Sequence, residues 1–389
     1  MPSTPVMDRW IRKTAKRRLP WSVHVDLTYR CNERCIHCYL DHEDHGEMTT
    51  DEIKKAFDQL AEAGTLFLTL SGGEIFLRKD LFDLIAYARL LHFDVSLKTN
   101  ALLIEAARAR RLREFGVRRI QISIYSAEPG VHDAITKVPG SLERSLAAIR
   151  FLQAQGLNVK IACPLMKQNL TAYCGVQALA EELGVPYVLD LTITPKMDGD
   201  RSILALRIPS QELLPVLQSP HAQAPVIEKS NAPLLATGSA SSSGVESPAY
   251  DDIPCSAGHN SCYISPYGDV FPCVQMPVPT GNLRRQNFNE IWFGSREMNR
   301  VRSLRESRLP ICSSCSIREY CERCPGLALM EGGDLRGAYE RACELAELNA
   351  RLAGIENPVS AWRAQKKPGG GLPVIPISTA AGLVQLHGS

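Results

Sequence analysis

Short apolar segments alternate with longer amphipathic segments over the first half of the chain. The longer segments have helical periodicity, and Thr49 and Glu52 have the spacing of a capping box at the start of the first. The short segments have the length and apolar pattern of β-strands, at residues 22–28, 66–70, 93–97, 119–124, 159–162 and 187–193. Glycines that favour helix ends occur at Gly64, Gly116, Gly156 and Gly184.

Repeated strand–helix units of this kind predict a parallel sheet whose crossover connections are right-handed. Six units are too few for a closed eight-stranded barrel. We therefore predict an α/β fold, an open, partial (β/α)6 barrel of the TIM type. Functional side chains in such a fold gather at the carboxyl ends of the strands.

Composition changes along the chain predict its domain organisation. A chain of 389 residues with 44% hydrophobic content is long enough for two folded units. A segment rich in Ser, Ala and Pro predicts a linker, and a glycine-rich tail predicts disorder. The predicted parts are a basic arm (1–20), the barrel (21–217), the linker (218–250), a cysteine-rich domain (251–347) and a C-terminal extension (348–389), disordered at its end.

Charge and hydropathy exclude several classes of protein. A net charge of +2 gives no reason to expect a nucleic-acid partner. No apolar run reaches membrane-spanning length, and the N-terminus has no signal-peptide core. We therefore expect a cytoplasmic protein without a membrane partner. In that reducing compartment, thirteen cysteines favour metal binding over disulfides.

Three of these cysteines lie close together after the first predicted strand. Cys31, Cys35 and Cys38 have a spacing that lets a short loop surround one face of an iron–sulfur cluster. A [4Fe–4S] cluster needs four ligands, so one iron would stay open to another molecule. Zinc is the alternative, but zinc sites more usually contain paired CxxC or Cys/His elements.

This CxxxCxxC loop resembles the signature of the radical S-adenosylmethionine (SAM) superfamily, in which an aromatic residue precedes the last cysteine. His37 occupies that position. The resemblance implies the same partial barrel, SAM bound to the open iron, and an electron donor of the flavodoxin or ferredoxin type. Reductive cleavage of SAM would give a 5′-deoxyadenosyl radical that abstracts a hydrogen atom from the substrate.

The resemblance also implies contacts to SAM from residues that end the next strands. They are Gly72, Gly73 and Glu74 for the amino group, Thr99 and Asn100 for the ribose, and Ser123 and Tyr125 for the carboxylate. A Gly-Gly-Glu segment can also be a simple tight turn, and polar residues end many strands to satisfy backbone groups. His132 and Asp133 fit a loop-capping cluster better than acid–base catalysis, and Cys163 and Cys174 lack ligand spacing and predict packing residues.

A second cysteine array resembles the SPASM domain, a C-terminal extension of radical SAM enzymes. Gly268 and Cys273 match its turn motif, which predicts a hairpin at residues 265–270. The resemblance implies two auxiliary [4Fe–4S] clusters, which makes three clusters in total. One would be held by Cys255, Cys262, Cys273 and Cys324, and the other by Cys312, Cys315, Cys321 and Cys343. A zinc ribbon at the paired CxxC elements is the structural alternative, but it leaves four cysteines unexplained.

SPASM enzymes act mainly on ribosomally made peptides, so the resemblance implies a precursor peptide or protein as substrate. The expected reaction is a crosslink, an oxidation or an epimerisation. Modification of a haem precursor or another small molecule is the alternative, and a non-catalytic, zinc-stapled binding module is a third. The segment ahead of Trp21 is too short for a peptide-recognition domain. We therefore expect a separate recognition protein.

Overall fold

The computed structural model describes residues 5–218 and 252–365. The predicted linker, apart from its first residue, and the predicted disordered tail beyond residue 365 lie outside the described residues. All thirteen cysteines lie within them, as free thiols.

A parallel sheet forms the centre of the N-terminal part of the chain. Its strands are β1 (Ser22–Thr28), β2 (Phe67–Gly72), β3 (Asp94–Thr99), β4 (Arg119–Ser123), β5 (Asn158–Pro164) and β6 (Tyr187–Asp190). Each strand pairs in parallel with the next in sequence, so the carboxyl ends of all six lie at one edge. The six predicted strands and the partial barrel are confirmed.

Helices connect the strands as the periodicity predicts, and a further helix lies in the predicted basic arm before β1. They are α1 (Pro5–Lys16), α2 (Thr50–Glu62), α3 (Leu81–Leu90), α4 (Ala106–Glu114), α5 (Pro129–Thr136), α6 (Ser141–Ala154) and α7 (Tyr173–Glu182). The capping box of α2 is present: Glu52 N donates to Thr49 Oγ1, and Thr49 N donates to Glu52 Oε2. The four predicted helix-ending glycines all have positive φ.

The C-terminal cysteine-rich part extends this same sheet. Its strands are β7 (Ser261–Ile264), β8 (Asp269–Phe271) and β9 (Gly281–Asn282). β7 pairs in parallel with the free edge of β1, with Val23 opposite Cys262, and β8 and β9 continue antiparallel. The sheet therefore has the order β6-β5-β4-β3-β2-β1-β7-β8-β9. The predicted hairpin is confirmed, and Gly268 has φ +85° in its turn.

The remaining helices surround the cysteine-rich part. They are α8 (Ser210–Gln218), α9 (Arg296–Arg302), α10 (Pro325–Gly332), α11 (Glu340–Leu352) and α12 (Ala361–Gln365). Leu348 of α11 packs on Leu213 and Val216 of α8, which joins the two parts of the chain a second time. Among the described residues, no helix has both the length and the apolar content needed to cross a membrane.

One large apolar core runs through both parts. It includes Phe57 from α2, Leu68 from β2, Ile149 from α6 and Trp292 from the segment before α9. Cys163 lies in this core, as predicted for a packing residue. The same prediction is wrong for Cys174, which is exposed near the start of α7.

Candidate active site

The cysteine loop follows β1 at the carboxyl edge of the sheet. Two main-chain hydrogen bonds attach it to the end of α5, from Arg34 N to Thr136 O and from Ile36 N to Ile135 O, each 3.0 Å long. Because the neighbouring α5 anchors it, the loop has a defined conformation between its first and last cysteines.

The Gly-Gly-Glu segment packs directly on the start of this loop. Gly73 N donates to Thr28 O at 2.8 Å, and Glu74 N donates to Arg30 O at 2.9 Å. A Cβ at Gly72 would overlap Thr28 O, and one at Gly73 would overlap Arg30 O. The glycines therefore permit the end of β2 to approach the backbone that leads into the cysteine loop.

Glu74 is fully buried and links the ends of β2 and β3. Its carboxylate accepts hydrogen bonds from Thr99 Oγ1 at 2.7 Å and from the main-chain N of Asn100 and Phe76, each at 2.9 Å. Burial raises the pKa of Glu74 despite these hydrogen bonds. Three residues that the sequence assigned to SAM are thus connected to one another.

Asn100 extends this connection to the cysteine loop. Its Nδ2 donates to Asn32 Oδ1 at 2.7 Å and lies 3.8 Å from Cys31 Sγ. The sequence analysis did not single out Asn32. Its position directly after the first cysteine of the motif was the available signal.

Tyr125, just after β4, also lies beside the cysteine loop. Its hydroxyl is 3.8 Å from Cys35 Sγ, and its ring meets His37 edge-on with centroids 4.9 Å apart. Burial raises the pKa of Tyr125 well above its usual value, and nearby Ser123 partly opposes this. The buried Nδ1 of His37 has no hydrogen-bond partner in the described part of the chain, and burial lowers the pKa of His37 to about 4.

The three thiols of the loop are suited to metal binding and not to free nucleophilic chemistry. Burial raises the pKa of Cys31 to about 12 and raises the pKa values of Cys35 and Cys38 above the ordinary range. A thiol binds metal as the thiolate, so these groups need a nearby positive metal charge to lose their protons. The three sulfur donors therefore fit a metal cluster.

Glu33 is a second residue of the loop that the sequence analysis missed. It is buried, its Oε2 lies 3.2 Å from Cys35 Sγ, and its main-chain N donates to Cys31 Sγ at 3.4 Å. Burial raises its pKa to about 7. A carboxylate between the first two cysteines of the motif was the signal in the sequence.

A buried polar network lies between β1 and β7, and the sequence analysis did not predict it. Asp26 Oδ1 is 3.0 Å from His24 Nε2, and Asp26 Oδ2 accepts from the Tyr263 hydroxyl at 2.8 Å. The Tyr263 hydroxyl is also 2.8 Å from that of Tyr29. The alternation of polar His24 and Asp26 with apolar residues in β1 indicated a polar face, but not its partner.

The auxiliary cysteines form two groups. In the first, the charge of Cys324 acts on Cys255 and Cys273 and, after burial, contributes to raising their pKa values to about 12 and 11. In the second, electrostatic interactions connect Cys321 with Cys312, Cys315 and Cys343. Cys262 is not brought into the first group, because it lies in the main core on β7.

The described residues contain no group of three or more His, Cys, Asp or Glu side chains that could hold a single metal ion. A cluster has different requirements, because each of its thiolates binds a different iron.

An open parallel barrel with three partly buried cysteines at the carboxyl end of its first strand defines a class of iron–sulfur enzymes. Residues 25–171 match the radical SAM superfamily, and residues 255–316 match SPASM, an iron–sulfur cluster-binding domain. A relative from Methanosarcina barkeri (strain Fusaro), an AdoMet-dependent heme synthase, is 31% identical over 82% of this chain and 94% of its own. This chain belongs to the radical SAM superfamily and has a SPASM domain.

Two further comparisons cover most of the chain. A PqqA peptide cyclase from Rhodopseudomonas palustris is 28% identical over 86% of this chain and 89% of its own. The structure of Streptococcus suis SuiB bound to precursor peptide SuiA matches with a TM-score of 0.60 and 14% identity, over 86% of this chain and 79% of SuiB. At that identity the match to SuiB shows the fold alone.

Proposed function

We propose that Cys31, Cys35 and Cys38 hold the catalytic cluster and that this enzyme modifies a ribosomally made peptide. When bound, a [4Fe–4S] cluster with one open iron and SAM supply a 5′-deoxyadenosyl radical, which takes a hydrogen atom from the substrate. The observation that supports this site best is the convergence of the cysteine loop, the Glu74 network and Tyr125 at one edge of the sheet.

The protein's own residues position the bound groups in this proposal. Gly72 and Gly73 present the main chain at the end of β2, and Glu74 fixes Thr99 and Asn100 at the end of β3. Ser123, Tyr125 and His37 cover the opposite side of the loop. Together these residues orient SAM and shield the radical from water, which is how a site prevents side reactions of a reactive intermediate.

A peptide substrate is supported by the match to PqqA peptide cyclases over most of the chain. A tetrapyrrole is the second candidate, because the heme synthase from M. barkeri is 31% identical and aligns over 94% of its own length. Both candidates use the same radical chemistry, so the substrate test must separate them.

Co-expression with short peptides encoded beside the gene, followed by mass spectrometry, tests the peptide proposal. A crosslink or oxidation removes two hydrogen atoms, and an epimerisation in deuterated water adds one deuterium at unchanged connectivity. The same enzyme incubated with iron-tetrapyrroles provides the comparison. Modification of a tetrapyrrole with all peptides unchanged would refute the peptide proposal and leave the radical chemistry intact.

Two partners complete the proposal: a separate protein that binds the precursor peptide, and a flavodoxin- or ferredoxin-type electron donor. Binding of the peptide to the isolated enzyme, measured with and without a candidate recognition protein, tests the first. Tight binding by this chain alone would contradict it.

A further inference from the structure

Cys262 occupies a position in the sheet that differs from those of the other auxiliary cysteines. It lies in β7, opposite Val23 of β1, and only 3% of it is exposed. Successive side chains of a strand point to opposite faces. The next residue, Tyr263, joins the polar network at Asp26, whereas Cys262 and Ile264 belong to the main apolar core.

The surroundings of Cys262 are those of a packing residue. The charged group that interacts with it is Arg302. The Arg302 guanidinium lies 4.5 Å from the centre of the Trp292 ring, and Trp292 is itself fully buried in that core. Cys262 therefore lies in the interface between the sheet and α9.

Cys255, Cys273 and Cys324 lie together elsewhere. Cys255 and Cys273 pack on a separate apolar cluster that contains Met276 and Val301. Cys324 lies beside them, because its Sγ is 3.9 Å from the side-chain oxygen of Gln275, which follows closely after Cys273. Cys262 belongs instead to the main apolar core. Three thiols thus converge at this site, one fewer than a fully cysteine-ligated [4Fe–4S] cluster requires.

We propose that the first auxiliary cluster has only three cysteine ligands, Cys255, Cys273 and Cys324, and that Cys262 is a core residue. One iron of this cluster then takes a donor other than cysteine. The proposal concerns the ligands of the cluster and does not depend on the identity of the substrate.

Gln275 is a polar side chain beside the cysteines of this group. Its Oε1 lies 3.9 Å from Cys324 Sγ. Its main-chain oxygen is so close to Gly326 that a Cβ there would overlap it, which keeps the segment after Cys273 against the start of α10. A neutral amide oxygen is a weak ligand for iron compared with a thiolate, so a stronger added donor should displace it.

Iron and sulfide content tests the ligand assignment. The parent is the full chain with Cys31, Cys35 and Cys38 all changed to Ala, so that only auxiliary clusters contribute. In this parent, Cys262→Ala should keep the iron and sulfide content, whereas Cys255→Ala should lose about half. Cys163→Ala is the matched control, because Cys163 is buried in the same core.

Loss of about half of the iron in Cys262→Ala, with Cys163→Ala unaffected, would overturn the proposal. Cys262→Val provides a second test if the alanine variant folds poorly, because valine fills an apolar site but does not bind iron. Retained iron in the valine variant supports the packing role, and loss of half contradicts it.

Electron paramagnetic resonance of the reduced parent tests whether one iron of this cluster has a ligand other than cysteine. Cyanide should change the signal of one auxiliary cluster and leave the other unchanged, because only one has an exchangeable ligand. If Gln275 hinders exchange, Gln275→Leu should make the change appear or enlarge it. Unchanged spectra in both the parent and Gln275→Leu would overturn the proposal that one iron has an exchangeable ligand.

Discussion

Individual side chains at the carboxyl edge of the sheet take part in several interactions at once. Glu74 satisfies two main-chain N–H groups and the Thr99 hydroxyl while it is fully buried. Gly72 and Gly73 allow the chain before Glu74 to touch the cysteine loop. The residues of the candidate SAM site therefore fix one another's positions, through hydrogen bonds and close packing, before any ligand binds.

Glu74→Gln should lower the free energy of unfolding by about 1–3 kcal/mol. Each carboxylate oxygen accepts a main-chain N–H, so the NH2 group of glutamine would face a donor in either orientation. Denaturant unfolding of the cluster-free chain measures the change. Glu105→Gln is the control, because Glu105 is exposed and makes no side-chain cap; equal effects of the two changes would contradict the prediction.

Changing Cys31, Cys35 and Cys38 together to Ala should reduce 5′-deoxyadenosine formation to the background level. The three sulfurs are the ligands that we propose for the cluster that binds SAM. Chromatography of reaction mixtures with dithionite and SAM measures the product. The exposed Cys174 gives a control, and Cys174→Ala should keep full cleavage; cleavage by the triple variant would rule out the proposed site.

Among the secondary-structure elements, α5 and the turn that joins it to α6 support the cysteine loop. Asp133 of α5 caps the start of α6, where Ser141 Oγ, Leu142 N and Gly140 N all donate to its carboxylate. The last turn of α5 provides the carbonyls, of Ile135 and Thr136, that anchor the cysteine loop. The cluster that the sequence analysis interpreted as a cap therefore acts as one.

Asp133→Ala should lower the free energy of unfolding by about 1–2 kcal/mol at neutral pH, the usual cost of losing a helix cap. Burial raises the pKa of Asp133, but the hydrogen bonds from Ser141, Leu142 and Gly140 outweigh it and leave the pKa lowered. A carboxylate with a lowered folded-state pKa stabilises the fold above its unfolded-state value, roughly pH 4.

That stabilisation is lost as pH falls through the lower folded-state pKa. The difference in unfolding midpoint between Asp133→Ala and the original chain should therefore shrink below roughly pH 4. Glu105→Ala changes a carboxylate at an N-cap position that makes no side-chain cap, so it controls for charge. A difference that is constant with pH would show that the carboxylate charge has no part in the cap.

For the whole molecule, the pairing of β1 with β7 is the main feature. It places the cysteine-rich part on the free edge of the barrel sheet, so the two predicted domains share one nine-stranded sheet. Tyr263 of β7 then satisfies Asp26 of β1 in a buried site. The position of the C-terminal cysteines relative to the candidate SAM site thus depends on this junction.

Tyr263→Phe should destabilise the whole chain by about 1–3 kcal/mol, because Asp26 Oδ2 and the Tyr29 hydroxyl would lose a partner in a buried site. Thermal unfolding of the cluster-free chain measures it. In Tyr87→Phe the lost hydrogen bond, to Asp58, is only partly buried, so its effect should be smaller. An equally small effect of Tyr263→Phe would mean that the network does not stabilise the junction.

Much of the barrel could be predicted from the sequence because its determinants are local. The alternation in residues 22–28 and the capping box at Thr49 depend on neighbours within a few positions. The cysteine loop is equally local, and its spacing indicated a metal site directly. The contacts proposed for Thr99 and Tyr125 remain predictions, although the structure places Tyr125 beside the cysteine loop and Thr99 against Glu74.

The periodic elements, their helix caps and the two cysteine arrays can be read from the amino-acid order, because these features depend on short-range geometry. The pairing of β7 with β1, the hydrogen bond between Glu74 and Asn100, and the burial of Cys262 in the apolar core became visible in the folded chain alone. Each of these depends on residues far apart in the chain, and the free energy that selects their pairing comes from burial and hydrogen bonds that exist only once the sheet has formed.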